Sequence, residues 1–358
     1  MPQRNAEVVS RIDRCDSRIP PRLETALWVT VFVVGVGLRC AKAARVAVEH
    51  FDEGVYVSNL WFAEEGYRYP DAHFYAPPFF PWLNEWVIAL FGPTRWACMS
   101  VSLVAGSATI LLMGWVARRW FGPEAGLTAA TLTAFSDVHL LYSRTALTDP
   151  LLCFWLLLAV YWIGESYRRN SFPLAIAAGA ATGLAWWTKY TGWLPLAIGL
   201  AGLVPASLCR WFLLRPGPRS EPRRRPQPPA GRAPPEADPF RPFVLWFVMA
   251  ATALAVWYPG LAGLSDHGGY SVVAANHRKY IVGLAGWWPS LQQQWAGHEY
   301  LSGWLTIVGL ALAGAGAATR FVLDRRFTWN GSPADGATVG EGAGADWAGM
   351  WTALTVGA

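Results

Sequence analysis

Residues 50–69 read HFDEGVYVSNLWFAEEGYRY, four carboxylates among aromatics, between two long apolar runs. Asp52 and Glu53 lie a few residues beyond the first run, flanked by Phe51 and Tyr56. A carboxylate so placed is partly withdrawn from water, the setting in which catalytic carboxylates are tuned. Adjacent residues on a helix point about 100° apart, so Asp52 and Glu53 do not share a face, whereas Asp52 and Tyr56 do. The dipeptide therefore does not support a two-carboxylate glycosidase pair. A single base, Asp52, is the simpler reading, with Glu53 the second candidate. The other acids of this region, Glu49, Glu64, Glu65, Asp71 and Glu85, stand against Arg68 alone and read as a solvated charge run.

A second constellation is YSRTALTDPLL, residues 142–152. Asp149-Pro150 has the form of a helix's first turn, with Asp capping the amides and Pro suited to that position. Arg144 is a cation among acidic external segments, as are Lys189 in WWTKYTG and Arg278-Lys279 in NHRKY. Snorkelling to headgroups accounts for any one of them. Together they point to an anion outside, such as a lipid phosphate. The nearby Trp186, Trp187, Tyr190, Trp193, Trp287, Trp288 and Trp295 read as an interfacial belt. His50, His73, His267, His277 and His298 show no metal-ligand spacing, so no metal site is assigned. A carboxylate-bound divalent ion stays open but is not indicated. No GxxxxGK[ST], HExxH or GxSxG motif is present.

The elements that must position these residues are membrane helices. The 358 residues are 53% hydrophobic and 15% charged, against roughly 25% charged in soluble domains. Apolar runs near the ~20 residues that a span needs fall at about 24–44, 93–117, 123–141, 147–165, 172–188, 191–209, 242–262 and 301–320. The expected fold is all-α: a polytopic transmembrane helical bundle of about eight full spans, with the beginning of a ninth after residue 346. For the first run, a cleaved leader ending near Ala41-Lys42-Ala43 is the competing reading.

With the N-terminus inside, Arg118-Arg119, Arg168-Arg169, the arginines of 210–232 and Arg320, Arg325 and Arg326 all fall inside, as the positive-inside rule expects. The net charge of +5 is thereby assigned to cytoplasmic loops rather than to a nucleic-acid surface. The five cysteines form no CxxC pair, so a disulfide framework or zinc site is not expected. The organisation follows: a basic cytoplasmic tail over 1–23; a transmembrane module over 24–209 with an external loop at 45–92; a Pro/Arg-rich cytoplasmic linker at 210–241; further helices over 242–320 with an external loop at 263–300; and a cytoplasmic Gly/Ala-rich segment and partial span over 321–358. Gly179 and Gly183, and the glycines of 309–316, have the spacing that lets helices pack closely.

FDEGVY after the first helix, YAPPFFPWL, SRTALTDPLL and GLAWWTKYTGWL occur in this order across about residues 25–205. In this combination the sequence resembles the membrane-embedded GT-C glycosyltransferases, in particular the bacterial relatives of protein O-mannosyltransferases and lipid A aminoarabinose transferases. The resemblance implies transfer of a sugar from a polyprenyl-phosphate carrier to a lipid, glycan or protein acceptor on the outer face of the plasma (inner) membrane. It maps the family's Asp-Glu motif to Asp52 and Glu53, with Asp52 the base, and the acid of the second external loop to Asp149. Tyr56, His73, Arg144, Lys189, Arg278 and Lys279 are the candidates for binding substrate. Many relatives have Lys or His before the Pro-Pro pair, where this chain has Ala76; His73 or Tyr75 is the candidate to compensate. Relatives also carry further spans and often an external domain. Two other function classes stand beside this one: a transporter or lipid flippase, which would place ionisable groups near the bilayer midplane within inverted repeats, and a truncated noncatalytic relative.

Overall fold

The computed structural model of the protein describes residues 19–41, 43, 51–57, 77–213, 240–265, 275 and 286–301. Among them the regular elements are helices: α1 Pro21–Cys40, α2 Phe51–Val57, α3 Phe79–Phe91, α4 Arg95–Phe121, α5 Pro123–Phe135, α6 Asp137–Tyr142, α7 Asp149–Arg169, α8 Phe172–Thr188, a 3-10 turn Tyr190–Trp193, α9 Leu194–Leu213, α10 Arg241–Ser265 and α11 Trp287–Leu301. Among the described residues, four stretches are long and apolar enough to cross a membrane: Pro21–Cys40, Arg95–Phe121, Asp149–Arg169 and Arg241–Pro259. The chain is thus helical and of membrane type. The span expected at 301–320 and the partial ninth lie outside the described residues, as do linker residues 214–239.

Local sequence sets the helix ends. The Thr94 side chain accepts from the Ala97 amide at 3.2 Å and starts α4, a standard cap for an otherwise orphaned donor. Gly122, at φ +102°, ends α4 in a backbone region open to glycine. Pro123 then opens α5, where a missing N–H costs nothing. The run 123–141, expected as one span, is instead two helices. Ser136 leaves helical geometry and caps α6 by accepting from His139 N at 3.4 Å. Segments drawn as external loops at 45–92 and 263–300 contain helices α2, α3 and α11.

Small residues decide which helices meet. A Cβ on Gly179 would lie 2.5 Å from the Met249 carbonyl oxygen, and one on Gly183 would lie 2.6 Å from Val256 Cβ. Their absence brings α8 against α10, where Ile163, Ala175, Ala178, Leu245 and Met249 form one buried cluster with α7. Ala130 and Ala134 of α5 likewise receive Ile110 of α4, with Trp28 and Val31 of α1 beside them. A third cluster joins Val55 and Tyr56 of α2, Phe80 of α3, Ala105 of α4, and Leu147 and Leu151 around the start of α7. That cluster carries the candidate site.

Candidate functional site

Helix α2 has seven residues, too short to be stable alone. It is held through Val55 and Tyr56, and the Tyr56 ring meets Phe80 edge-on, with centroids 5.8 Å apart. This leaves Asp52, one turn before Tyr56, half-buried, while Glu53 is 3% exposed. The two acids are therefore separated by environment as well as by direction.

Thr148 caps α7 in position but not by a side-chain hydrogen bond; its side chain is buried. Asp149 is the first helical residue and does not cap the helix as expected. Its carboxylate turns instead to Lys189, whose ammonium donates to Asp149 Oδ1 at 2.8 Å. The phenol of Tyr56 is pushed up to about 12, first by burial and next by the negative charge of Asp52; Asp149 adds to this, while the Thr148 hydroxyl works the other way. Asp52, Thr148 and Asp149 thus all bear on Tyr56, and Asp149 in turn pairs with Lys189, at one end of the bundle. Tyr56 stays a neutral hydrogen-bonding group at ordinary pH.

Lys189 owes its place to the end of α8. Its own amide donates to the Ala185 carbonyl at 3.0 Å, after which the backbone turns extended and the 3-10 turn follows. Gly192 closes that turn so tightly that a Cβ would lie 2.1 Å from the Ala185 carbonyl carbon. The two tryptophans before it pin the helix end: Trp186 stacks on Trp257 at 4.3 Å, and Trp187 donates from Nε1 to the Trp257 carbonyl at 3.2 Å and meets Phe79 edge-on. These two rings, expected in an interfacial belt, also pack against neighbouring helices. Trp193, Trp288 and Trp295 are exposed.

Arg144 is not brought to the Asp149–Lys189 pair. It donates from an Nη to the Ala41 carbonyl at 2.6 Å, a cation at the C-terminal end of α1 where the helix dipole favours one. His73, Arg278 and Lys279 lie outside the described residues. Among the described residues no three His, Cys, Asp or Glu side chains are placed to share a metal ion.

One polar group escaped the sequence reading. Arg39, fully buried near the end of α1, donates to the carbonyls of Gly35 (2.9 Å), Ala134 (3.1 Å) and Thr133 (3.0 Å) and lies 2.6 Å from His139 Nδ1. A guanidinium can only donate, so His139 accepts and is neutral. An ionisable residue inside an apolar run was the available signal.

Comparison with known proteins adds the class. Residues 75–216 match the family described as dolichyl-phosphate-mannose-protein mannosyltransferase. That region holds Arg144, Asp149 and Lys189 and begins after Asp52 and Glu53. An undecaprenyl phosphate-alpha-4-amino-4-deoxy-L-arabinose arabinosyl transferase of Edwardsiella ictaluri is 30% identical over 129 residues, 35% of this chain and 23% of that protein. A lipid A galacturonosyltransferase of Rhizobium johnstonii is 30% identical over 153 residues, 41% of this chain and 31% of that protein. Each match spans under a third of the relative's length. Among solved structures, the S. cerevisiae protein O-mannosyltransferase Pmt1-Pmt2 complex bound to the sugar donor covers 72% of this chain and 35% of its own, at 18% identity and a TM-score of 0.47. The chain resembles the GT-C membrane glycosyltransferases, and this resemblance runs through the helices that carry Asp149 and Lys189.

Proposed function

We propose that the chain is a membrane glycosyltransferase. It moves a sugar from a polyprenyl-phosphate carrier to an acceptor hydroxyl, on a lipid, a glycan or a protein, at the outer face of the plasma (inner) membrane. The observation that carries this reading is the gathering of Asp52, Tyr56, Asp149 and Lys189 at one end of a helical membrane-type bundle. The names of the similar proteins support the donor class. With the N-terminus cytoplasmic and about eight full spans, this end would face outside.

The chemistry follows from the residue types. Asp52, half-buried on α2, takes the proton from the acceptor hydroxyl. The freed oxygen attacks the anomeric carbon from the face opposite the phosphate and inverts it. The sugar–phosphate C–O bond breaks, and polyprenyl phosphate leaves with the electron pair. Phosphate is a good leaving group, so a second carboxylate is not needed as acid; its developing charge needs cations. Lys189 is the described cation best placed, with Asp149 holding its ammonium in position. Arg144, Arg278 and Lys279 are the further candidates.

The test is sugar transfer by the purified full chain in proteoliposomes, with an undecaprenyl-phosphate sugar as donor and a lipid acceptor. Transfer above that of empty vesicles supports the reading. Movement of donor lipid between leaflets without transfer would assign a flippase instead.

A further inference from the structure

At the arginine-rich end of the bundle, away from Lys189, a groove of about 670 Å³ opens between α1 and α4. Thr25 and Trp28 line it from α1; Ala108, Leu111, Trp115 and Arg118 line it from α4. With Leu112 these α4 residues are spaced i, i+3, i+4, i+7 and i+10, one face of a helix. From Ala108 to Arg118 this face runs ~15 Å at 1.5 Å per residue. That is half of the ~30 Å hydrocarbon core of a bilayer, or one leaflet.

The walls are fixed. Trp28 lies over Gly114, where a Cβ would come within 2.3 Å of its ring. The Trp115 ring packs on Tyr161 with centroids 4.4 Å apart. The groove is apolar along its length and charged at one end only. There Arg118 pairs with Glu24, and Arg22, one turn before Thr25 on the same face of α1, adds a further cation. Arg118 spends one Nη on Glu24 and is 47% exposed. A guanidinium has five N–H donors, so it can hold an oxyanion as well.

We infer that this groove is a binding site for one anionic phospholipid of the cytoplasmic leaflet, its phosphate at Arg118 and an acyl chain lying along Leu111 and Ala108. The depth fits a single leaflet, and the lone charged end fits a negatively charged headgroup at the membrane surface. The polyprenyl-phosphate donor proposed above would have its phosphate at the opposite end of the bundle. The site is therefore distinct from sugar transfer and is tested without it.

The experiment is native mass spectrometry of the full chain in detergent, titrated with palmitoyl-oleoyl phosphatidylglycerol or with phosphatidylcholine of the same chains. The expected result is one phosphatidylglycerol retained per chain, at an affinity at least ~10-fold above phosphatidylcholine, the low end for a charge-assisted contact. Ala108→Trp and Leu111→Trp, which fill the groove without touching Arg118 or Glu24, should each abolish retention while leaving the elution profile and melting temperature intact. Arg118→Gln should remove the preference between headgroups. Equal retention of both lipids overturns the proposal, as does retention that neither groove-filling variant changes, which would indicate annular lipid only. Displacement of phosphatidylglycerol by undecaprenyl phosphate would assign the groove to the polyprenyl chain and overturn it too.

Discussion

Lys189 and Asp149, forty positions apart, meet at 2.8 Å across the tip of α8 and the start of α7. Both side chains are about two-fifths exposed. Ion pairs in such settings contribute about 0–1 kcal/mol to stability. The pair therefore does little to hold the fold. What it fixes is where an ammonium stands, beside a buried tyrosine that also feels Asp52.

Lys189→Ala should leave melting within about 1 kcal/mol of the parent. Donor-lipid affinity should fall ~10- to 150-fold, equivalent to about 1.5–3 kcal/mol for a charge-assisted contact. Asp149→Asn should weaken donor binding less, and the double variant should show coupling between the two sites, because Asp149 acts through Lys189. Arg144→Ala tests the second cation in the same assay. Unchanged donor affinity in all four variants would move the phosphate site elsewhere.

Asp52→Asn retains size and hydrogen bonding but cannot take a proton. The variant should insert, fold and bind donor lipid normally, and transfer sugar at least ~100-fold more slowly, the low end for general base catalysis. Glu53→Gln should cost less in rate and more in yield of folded protein, since Glu53 is buried. Transfer rate and membrane-inserted protein are measured together. Near-normal turnover by Asp52→Asn removes it as the base.

Gly192→Ala should act on Lys189 from behind. The added methyl would press on the Ala185 carbonyl and the Trp186 amide, backbone atoms that cannot step aside. The 3-10 turn must open, which carries Lys189 from Asp149. The expected outcome is a loss of donor affinity comparable to Lys189→Ala, together with a lower melting temperature, which Lys189→Ala lacks. A variant with parental melting and affinity would show that the turn does not position the cation.

Orientation is checked by labelling single cysteines in a cysteine-free background with an impermeant maleimide on intact cells. Positions 60–75 and 265–295 should react from outside and 215–235 only after permeabilisation. Labelling of 215–235 from outside would invert the assignment of faces and the proposed mechanism with it.

Local chemistry was legible in the sequence; long-range partnership was not. The bounds of α8, the first turn at Asp149-Pro150 and the close packing at Gly179 and Gly183 follow from hydropathy, proline and small-residue spacing. The break at Ser136 was also written locally, as a Ser-Asp start, but an uninterrupted apolar count hides it. Helix α3 was lost because Pro81 and Glu85 make FFPWLNEWVIALF read as loop, although proline in a first turn costs no hydrogen bond. The Lys189–Asp149 contact has no such local trace. Neither does the meeting of Arg39 with the end of α5 across some ninety-five residues, because both depend on which helices become neighbours.

The missing side chain at Gly183 has a consequence at some distance. Helix α8 rests on α10 there, with Val256 as the bearing surface. Six residues further on, ~9 Å along the axis, stands Lys189. Gly183 is thus a fulcrum with the ammonium at the end of its arm. A methyl group added at the fulcrum would push α8 off Val256 against the Trp186 and Trp187 contacts that hold the arm to Trp257, and move the charge at its tip relative to Asp149.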